Sequence, residues 1–452
     1  MIATGCAARA GGGAAPRPVR IGTSGDYPPY SASAGDGTLY GFDVEAARAW
    51  SRDRGRQVEL VAFRWPELES RLAKGDFDVA MSGVTVRGDR LARSPMSAAV
   101  ARTEAVLVLR PGAGRFDPSK GGAGLVVAVN RGGHMERVAR ATLPRATLQP
   151  TDDNRALADI LARGGADGVV VDSAELASFY PDPEGQMPPI AAVLSRDRKA
   201  WWVGPGDPAL ANDLDAWIAT READGTLPAL RARWGLEPRG AFDAKSRLAD
   251  LVGRRLLLMP LVAEAKRREG RPVEDLAREA KVVDAWVAAA RAAGLDEASV
   301  AVFARAQIEA AKSVQRAVLA AQPRRGRARA SGAAEANAAD AGDDVVISLE
   351  ALRPAISRLD GEIQCELARS APLGVPPVEI ASAIRESATV PGLDHQDVAR
   401  IAVALAAIPA ARRPSVDPGR PGPAGEVAPA AGGIPDAAPP AALDQAAGEA
   451  SP

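Results

Sequence analysis

The chain has 452 residues, a length that predicts about two or three domains, each large enough to bury its own core. Lysine and arginine (56) nearly balance aspartate and glutamate (57), so we expect no nucleic-acid partner. Two cysteines and two histidines argue against a disulfide framework and a His/Cys metal centre, and nothing in the sequence demands a cofactor. No apolar run reaches the ~20 residues that a membrane-spanning helix needs.

Residues 1–17, MIATGCAARAGGGAAPR, resemble the end of an export signal whose basic and apolar parts are missing, so the signal looks truncated. The small residues before Cys6 are similar to a bacterial lipoprotein cleavage site, which would leave Cys6 lipidated in an exported, periplasmic protein. A disordered, alanine-rich leader is the alternative. The sequence leaves the choice between these two interpretations open.

Between Val19 and about Trp234, short β-like runs alternate with helical stretches, which predicts an α/β domain over residues 18–236 with mainly parallel strands. We predict strands at Val19–Gly22, Val58–Phe63, Asp78–Ser82, Ala105–Leu109, Leu125–Val129 and Gly168–Val171, and helices at Val44–Arg54 and Trp65–Lys74. Ligands of such sheets bind beyond the carboxyl ends of the strands, where this chain carries polar loop residues.

A polar linker at 237–245 precedes a region with helical periodicity, which predicts an all-α domain over 246–409. We predict helices at Ser246–Arg268, Val273–Ala293, Glu297–Leu319, Leu349–Ala368, Pro377–Glu386 and Gln396–Ile408. Residues 323–344 predict a flexible internal loop, and the Pro/Ala/Gly-rich residues 410–452 predict a disordered tail, because neither segment can bury much apolar surface.

The charges between Arg255 and Glu279 form the most informative pattern in the chain. Arg255 and Lys266 are three helical turns apart and therefore share a helix face. A break follows, after which Asp275 starts a helix with Arg278 and Glu279 on its face. A solvated charged surface is the ordinary interpretation of such a run. Because both signs of charge are interleaved with leucine and valine, we favour a pocket for a small dianion.

Several segments of the α/β part resemble type II periplasmic solute-binding proteins over residues 18–236: GTSGDYPPYS, LYGFDVEAA, FDVAMSGVTVRGDR, ADGVVVDSAE and DGTLPALRARWG. Within that group the chain looks most like the periplasmic cyclohexadienyl dehydratases. The resemblance implies a two-lobed domain that removes water and CO₂ from prephenate or arogenate. The chain departs from the usual NPGGTNE pattern in NRGGHME, at Arg131, His134 and Met135.

The dehydratase reaction needs one general acid and groups that hold carboxylates. We predict Glu175 as the acid, because it follows a strand of three valines where burial would raise its pKa. The alternative for Glu175 is a carboxylate that only stabilises the start of a helix and takes no part in catalysis. The alternative for Trp65 is packing in the hydrophobic core. The substrate-binding residues expected here are Arg90, Asp172, Ser82, Thr85, Trp65, Asn130, Gly133, His134 and Asn154.

The helical part carries RLxxxxxVAxxK, RPVEDxxRE, GLD, QIEAAKSVQ and LRPAISRLD, which in this order resemble the exported, gamma-type all-α chorismate mutases. The resemblance implies a pocket in which chorismate rearranges to prephenate. It assigns Arg255 and Arg353 to carboxylates, Lys266 and Gln315 to the ether oxygen, Asp275 and Glu279 to the ring hydroxyl, and Arg278 to a carboxylate or the acids. The alternative interpretation of Gln315 and Arg353 is that both are ordinary residues on the protein surface. Ala311 stands where relatives usually carry Ser or Thr.

Together these resemblances predict a multidomain, exported, bifunctional enzyme: a periplasmic-binding-protein-like α/β domain followed by an all-α chorismate mutase domain. Its expected partners are the small molecules chorismate and prephenate, while arogenate, a lipid anchor and a homodimer stay open. One alternative is an N-terminal domain that only binds an amino acid, fused to an active mutase. A weaker alternative is an inactive mutase domain that serves dimerisation or regulation.

Overall fold

The computed structural model describes residues 17–176, 189–236, 243–321 and 347–410. The predicted leader with Cys6, most of the linker, the 323–344 loop and the tail beyond residue 410 lie outside these described residues. All described residues belong to one compact unit. In the described part of the chain, no helix combines the length and the apolar character needed to cross a membrane.

The α/β part contains twelve described strands and seven described helices. The strands are β1 Val19–Thr23, β2 Asp26–Tyr27, β3 Ser31–Ser33, β4 Leu39–Tyr40, β5 Val58–Ala62, β6 Val79–Ala80, β7 Ala101–Leu109, β8 Val126–Asn130, β9 Thr147–Thr151, β10 Gly168–Asp172, β11 Ile190–Lys199 and β12 Trp202–Val203. The helices are α1 Phe42–Arg54, α2 Leu68–Lys74, α3 Gly88–Arg93, α4 His134–Thr142, α5 Ala156–Ala162, α6 Pro208–Ala223 and α7 Thr226–Arg233.

Two of the three described sheets, one in each lobe, confirm the two-lobed α/β prediction, and the third is the small antiparallel sheet β2-β3-β4. The first lobe has the strand order β12-β6-β1-β5 and the second has β11-β7-β10-β8-β9. The expected mainly parallel pairing holds for four of the seven strand pairs in these two sheets, whereas β12 pairs antiparallel with β6, and β7 pairs antiparallel with β10 and β11. The predicted set lacked β2, β3, β4, β9, β11 and β12. The antiparallel pairing of β12 makes the first sheet mixed, and that of β7 makes the second sheet mixed.

The first sheet is held by close packing at its centre. A Cβ on Gly22 in β1 would lie 2.6 Å from the buried ring of Phe77, so a larger residue there would force this ring to shift. The buried core of this lobe continues without a break into the helical part, whereas the second lobe has separate apolar clusters. The helical part is therefore packed onto the first lobe.

Seven described helices form the all-α part: α8 Ala244–Leu257, α9 Met259–Arg268, α10 Leu276–Ala292, α11 Glu297–Ala321, α12 Leu349–Ser370, α13 Pro377–Ser387 and α14 His395–Ala406. One correction concerns the predicted single helix Ser246–Arg268. The structure divides it at Leu258, because Pro260 lies in the first turn of α9 and has no N–H to continue the hydrogen-bond pattern of α8.

A buried ion-pair bridge joins the helical part to the α/β part. The carboxylate of Asp250 accepts a hydrogen bond from Arg198 at the end of β11 and pairs with Arg254 Nε at 2.9 Å. Arg254 also donates to the carbonyl oxygen of Met96 at 3.1 Å, and Arg198 donates to Ser387 Oγ at 2.7 Å. The side chains of Arg198, Asp250 and Arg254 are at most 9 % exposed.

Removing the carboxylate of this bridge leaves two buried guanidinium groups without their shared partner. We expect Asp250→Ala to lower the free energy of unfolding by about 3–5 kcal/mol, measured by urea denaturation. The control is Asp159→Ala, which removes an exposed pair with Arg163 and should cost less than about 0.5 kcal/mol. Equal urea midpoints for the two variants would show that the bridge does not stabilise the fold.

Candidate functional site

A cavity of about 260 Å³ lies between the helices α8 to α12. All seven polar side chains that the sequence assigned to a dianion pocket line this one cavity: Arg255, Lys266, Asp275, Arg278, Glu279, Gln315 and Arg353. The split between α8 and α9 does not separate Arg255 from Lys266. Gln315 is buried rather than an ordinary exposed residue, whereas Arg353 is exposed at the cavity rim.

The charge of the cavity wall suits an anion. Six cationic side chains line it, namely Arg255, Lys266, Arg271, Arg278, Lys312 and Arg353, against the two carboxylates of Asp275 and Glu279. Apolar side chains, among them Val262, Val282, Ile308 and Ile356, cover the remaining wall. Such a wall attracts a compact dianion and also packs against an apolar ring.

The groups expected at the ether oxygen and at one carboxylate keep part of their hydrogen-bonding capacity free. Arg255 Nε donates to Asp360 Oδ1 at 2.8 Å, while its buried Nη1 has no protein partner in the described part of the chain. Lys266 Nζ donates to the carbonyl oxygen of Val273 at 2.7 Å, and partial burial lowers the pKa of Lys266. Gln315 Nε2, the donor expected at the ether oxygen, donates to Met259 Sδ at 3.8 Å and has a second hydrogen, while the buried acceptor Oε1 has no partner among the described residues.

The two acids of the cavity are positioned by the start of α10. Asp275 caps this helix, because its carboxylate accepts a hydrogen bond from the backbone N–H of Arg278 at 3.0 Å. Glu279 Oε1 accepts from the backbone N–H of Asp275 at 3.3 Å. The same local sequence that begins the helix therefore orients both carboxylates at the cavity.

Sequence reasoning missed Lys312 and Arg271 as cavity residues. A signal for Lys312 was present, because Ile308, Ala311, Lys312 and Gln315 recur at the spacing of one helix face.

A second, much smaller cavity of about 20 Å³ lies between the two lobes of the α/β part. Seven of the nine predicted substrate-binding residues line it: Trp65, Thr85, Arg90, Asn130, Gly133, His134 and Asn154. Tyr27, Gly83 and Met135 complete its wall. Because this volume accommodates about one water molecule, the cleft is closed in this structure and an organic acid requires it to open.

Asp172 and Ser82 lie behind the cavity wall instead of in it. Asp172 is fully buried and forms an ion pair at 2.7 Å with Lys199, while Tyr27 and Thr103 donate to it at 3.1 and 2.9 Å. Ser82 is fully buried and hydrogen-bonds Ser24. In the closed cleft protein partners occupy both side chains, so direct ligand contact at these two positions stays a prediction.

Lys199 is a third residue that sequence reasoning missed. Its buried ammonium joins Asp172 to Thr85 Oγ1, to which it donates at 2.8 Å, and to Tyr27. Because Thr85 and Tyr27 line the cavity, Lys199 orients two side chains of its wall without lining the cavity itself. Lys199 ends the charged run RDRK directly before the apolar run AWWV, and this position was a sequence signal for a buried, paired cation.

Glu175 is buried directly behind Asn154, whose side-chain amide donates a hydrogen bond to it. The backbone N–H of Asp172 donates to the other carboxylate oxygen of Glu175 at 3.2 Å. Burial, followed by the neighbouring charge of Asp172, raises the pKa of Glu175 well above its usual value. Glu175 is therefore suited to hold a proton one hydrogen bond from the cavity.

Arg90 and His134 line opposite parts of the cleft cavity. Arg90 Nη1 donates to the carbonyl oxygen of Thr85 at 2.9 Å, and burial lowers the pKa of Arg90 to about 9. His134 begins α4, with Nε2 2.9 Å from Asp197 Oδ1, and burial lowers its pKa. Arg90 therefore supplies positive charge to the cleft, and a neutral His134 supplies none.

Among the residues that the structure describes, no group of three or more His, Cys, Asp or Glu side chains is arranged to hold a metal ion. Cys365 is free and exposed.

Two known protein families match separate parts of the chain. Residues 19–237 match the bacterial extracellular solute-binding proteins, family 3, and residues 244–316 match chorismate mutase type II. The chain therefore joins a family 3 solute-binding domain to a chorismate mutase type II domain.

Two curated relatives cover the solute-binding domain. Cyclohexadienyl dehydratase of Pseudomonas aeruginosa is 28% identical over 229 residues, which span 48% of this chain and 82% of that protein. The L-arginine-binding protein of Pseudomonas aeruginosa is 29% identical over 231 residues, which span 49% of this chain and 89% of that protein. These nearly equal identities do not separate catalysis from binding.

A solved structure of an ancestral amino acid-binding protein, described as a precursor of cyclohexadienyl dehydratase, is similar as well. It is 26% identical, has a TM-score of 0.44 and covers 48% of this chain and 94% of its own.

The raised pKa of Glu175 predicts a pH effect on stability. The unfolded chain loses this proton near the usual glutamate pKa, whereas the folded protein keeps it to higher pH. The folded state therefore binds more protons in that window, and the free energy of unfolding contributed by Glu175 falls as pH rises. Urea unfolding between about pH 4 and pH 8 should show a steeper fall in wild type than in Glu175→Gln, in which Asp43 and Glu362 still have raised pKa values. Parallel profiles would contradict it.

Proposed function

We propose that the protein is an exported, bifunctional enzyme that converts chorismate to prephenate in the helical cavity and then aromatises prephenate, or arogenate, in the cleft of the α/β domain. The convergence of seven polar side chains on one cavity is the observation that carries the first step. Export is supported by the family of extracellular proteins that residues 19–237 match. Lipid anchoring at Cys6 and dimerisation stay predictions.

The first reaction is a pericyclic rearrangement with no covalent intermediate and no proton transfer. The cavity contributes by holding chorismate in its compact conformer and by stabilising charge on the breaking ether oxygen. Arg255 and Arg353 hold the two carboxylates, and Lys266 and Gln315 donate to the ether oxygen. The acids at the start of α10, Asp275 and Glu279, accept from the ring hydroxyl, and Arg278 supports a carboxylate.

The second reaction removes the ring hydroxyl as water and the ring carboxylate as CO₂. Glu175 donates its proton to the departing hydroxyl, and the electron pair of the breaking C–CO₂ bond completes the aromatic ring. Arg90 holds a substrate carboxylate, for which its planar guanidinium is suited. Because Glu175 lies behind Asn154 in the closed cleft, opening of the lobes has to give the substrate access to this acid.

A second candidate function is that the α/β domain binds an amino acid without chemistry. Its likeness to the L-arginine-binding protein favours this alternative. Two observations favour catalysis: the raised pKa of Glu175, which a binding protein does not need, and the occupation of Asp172 by Lys199. With Asp172 paired, a ligand ammonium group finds no free carboxylate at that position.

Replacing the cation at the ether oxygen tests the first step. Lys266→Ala should reduce kcat/KM for chorismate by about 10²–10³-fold, because a donor to the charge that develops in the transition state is lost. Chorismate consumption measures this rate. Conversion of added prephenate should stay at the wild-type rate. Lys281→Ala, which removes an exposed lysine of α10, is the control and should leave both rates unchanged.

Replacing the proposed acid tests the second step. Glu175→Gln should slow phenylpyruvate formation from prephenate by about 10²–10⁴-fold, while chorismate consumption continues. A wild-type protein that accumulates prephenate without phenylpyruvate, and also leaves arogenate unchanged, contradicts the dehydratase activity. Calorimetric titration with L-arginine then tests the binding alternative.

A further inference from the structure

We propose that Lys312 is a positioning residue of the mutase cavity, whose ammonium orients Glu279 and neutralises it beside the dianionic substrate. This inference rests on the proposed mutase function and deepens it. Lys312 lies on α11, one residue after Ala311. Its side chain is 6% exposed, although it carries a full charge.

The contacts of Lys312 point to positioning and away from direct substrate binding. Its Nζ lies 2.7 Å from Glu309 Oε1, 3.1 Å from Glu279 Oε2 and 3.3 Å from Glu274 Oε1. An ammonium group has three donor hydrogens, and three carboxylates surround this one. The substrate carboxylates therefore have to be held by the arginines of the cavity.

Lys312 stays charged in this position. Burial lowers the pKa of Lys312, but the hydrogen bonds to Glu309, Glu279 and Glu274 raise it, and the net shift is upward. The positive charge is thus available to offset the negative charge of Glu279. Without that offset, a second carboxylate beside Asp275 would repel an incoming dianion.

Glu279 is held at both of its oxygens. Oε2 faces Lys312, while Oε1 accepts from the backbone N–H of Asp275. A carboxylate offers about four acceptor positions, so Glu279 keeps capacity for the ring hydroxyl of the substrate. Lys312 thereby fixes the direction in which the remaining acceptor positions point.

Because position 311 is alanine, recognition of the substrate depends more strongly on the orientation of Glu279 by Lys312. Ala311 lines the cavity and has no hydroxyl with which to bond the substrate. Recognition of the ring hydroxyl then falls to Asp275 and Glu279, and the orientation of Glu279 depends on its two protein contacts.

The test is a double-mutant cycle on kcat/KM for chorismate. Lys312→Met keeps much of the side-chain volume but removes the charge, and should lower kcat/KM by about tenfold to a hundredfold. We expect this loss mainly as a higher KM, because the hydroxyl contact is made equally in the ground state and the transition state. Lys312→Arg should restore most of the loss.

Coupling to Glu279 separates positioning from a merely structural role. Glu279→Gln combined with Lys312→Met should cost no more than the larger single substitution. Additive losses, or Lys312→Met with kcat/KM within about twofold of wild type, overturn the proposal. Lys281→Met, on the exposed side of α10, is the matched control and should change neither kcat nor KM. A wild-type protein that leaves chorismate unchanged instead overturns the mutase function, and this role with it.

Discussion

The carboxylate of Asp250 is the contact on which the arrangement of the two domains depends. It lies between Arg198 of the solute-binding domain and Arg254 of the mutase domain, in an interface where all three side chains are buried. Charges taken out of water are tolerated only when they are paired and hydrogen-bonded. These ion pairs therefore constrain how the two domains pack, together with the apolar core that the first lobe shares with the helices.

The chain neighbours of this bridge belong to the two functional sites. Lys199 follows Arg198 and hydrogen-bonds Thr85 in the wall of the cleft cavity. Arg255 follows Arg254 and lines the mutase cavity. In each pair of consecutive residues, the first residue forms the interface and the second contacts a functional site. Both sites therefore adjoin the same buried ion pairs.

The two sites use buried charge in different ways that match the two proposed reactions. In the cleft, burial and the charge of Asp172 raise the pKa of Glu175, which suits a step that needs a proton. In the mutase cavity, Lys312 pairs with Glu279, and the surrounding cations suit a rearrangement that needs fixed charges and no proton. A buried lysine behind a carboxylate occurs in both sites, as Lys199 with Asp172 and Lys312 with Glu279.

The sequence by itself determined the two fold classes, most of the helices and most charged residues of the mutase cavity between Arg255 and Glu279, because these depend on local periodicity, caps and spacing. The resemblance to chorismate mutases added Gln315 and Arg353, and sequence reasoning missed Arg271 and Lys312. Asp275 and Glu279, for example, are oriented by the helix that their own segment begins. Only the tertiary structure decided which charges are satisfied within the protein. Lys199 forms an ion pair with Asp172, which lies 27 residues away in the chain, and Lys312 hydrogen-bonds Glu279, which lies 33 residues away. No local pattern specifies such pairs, since they form only when separate elements pack against each other.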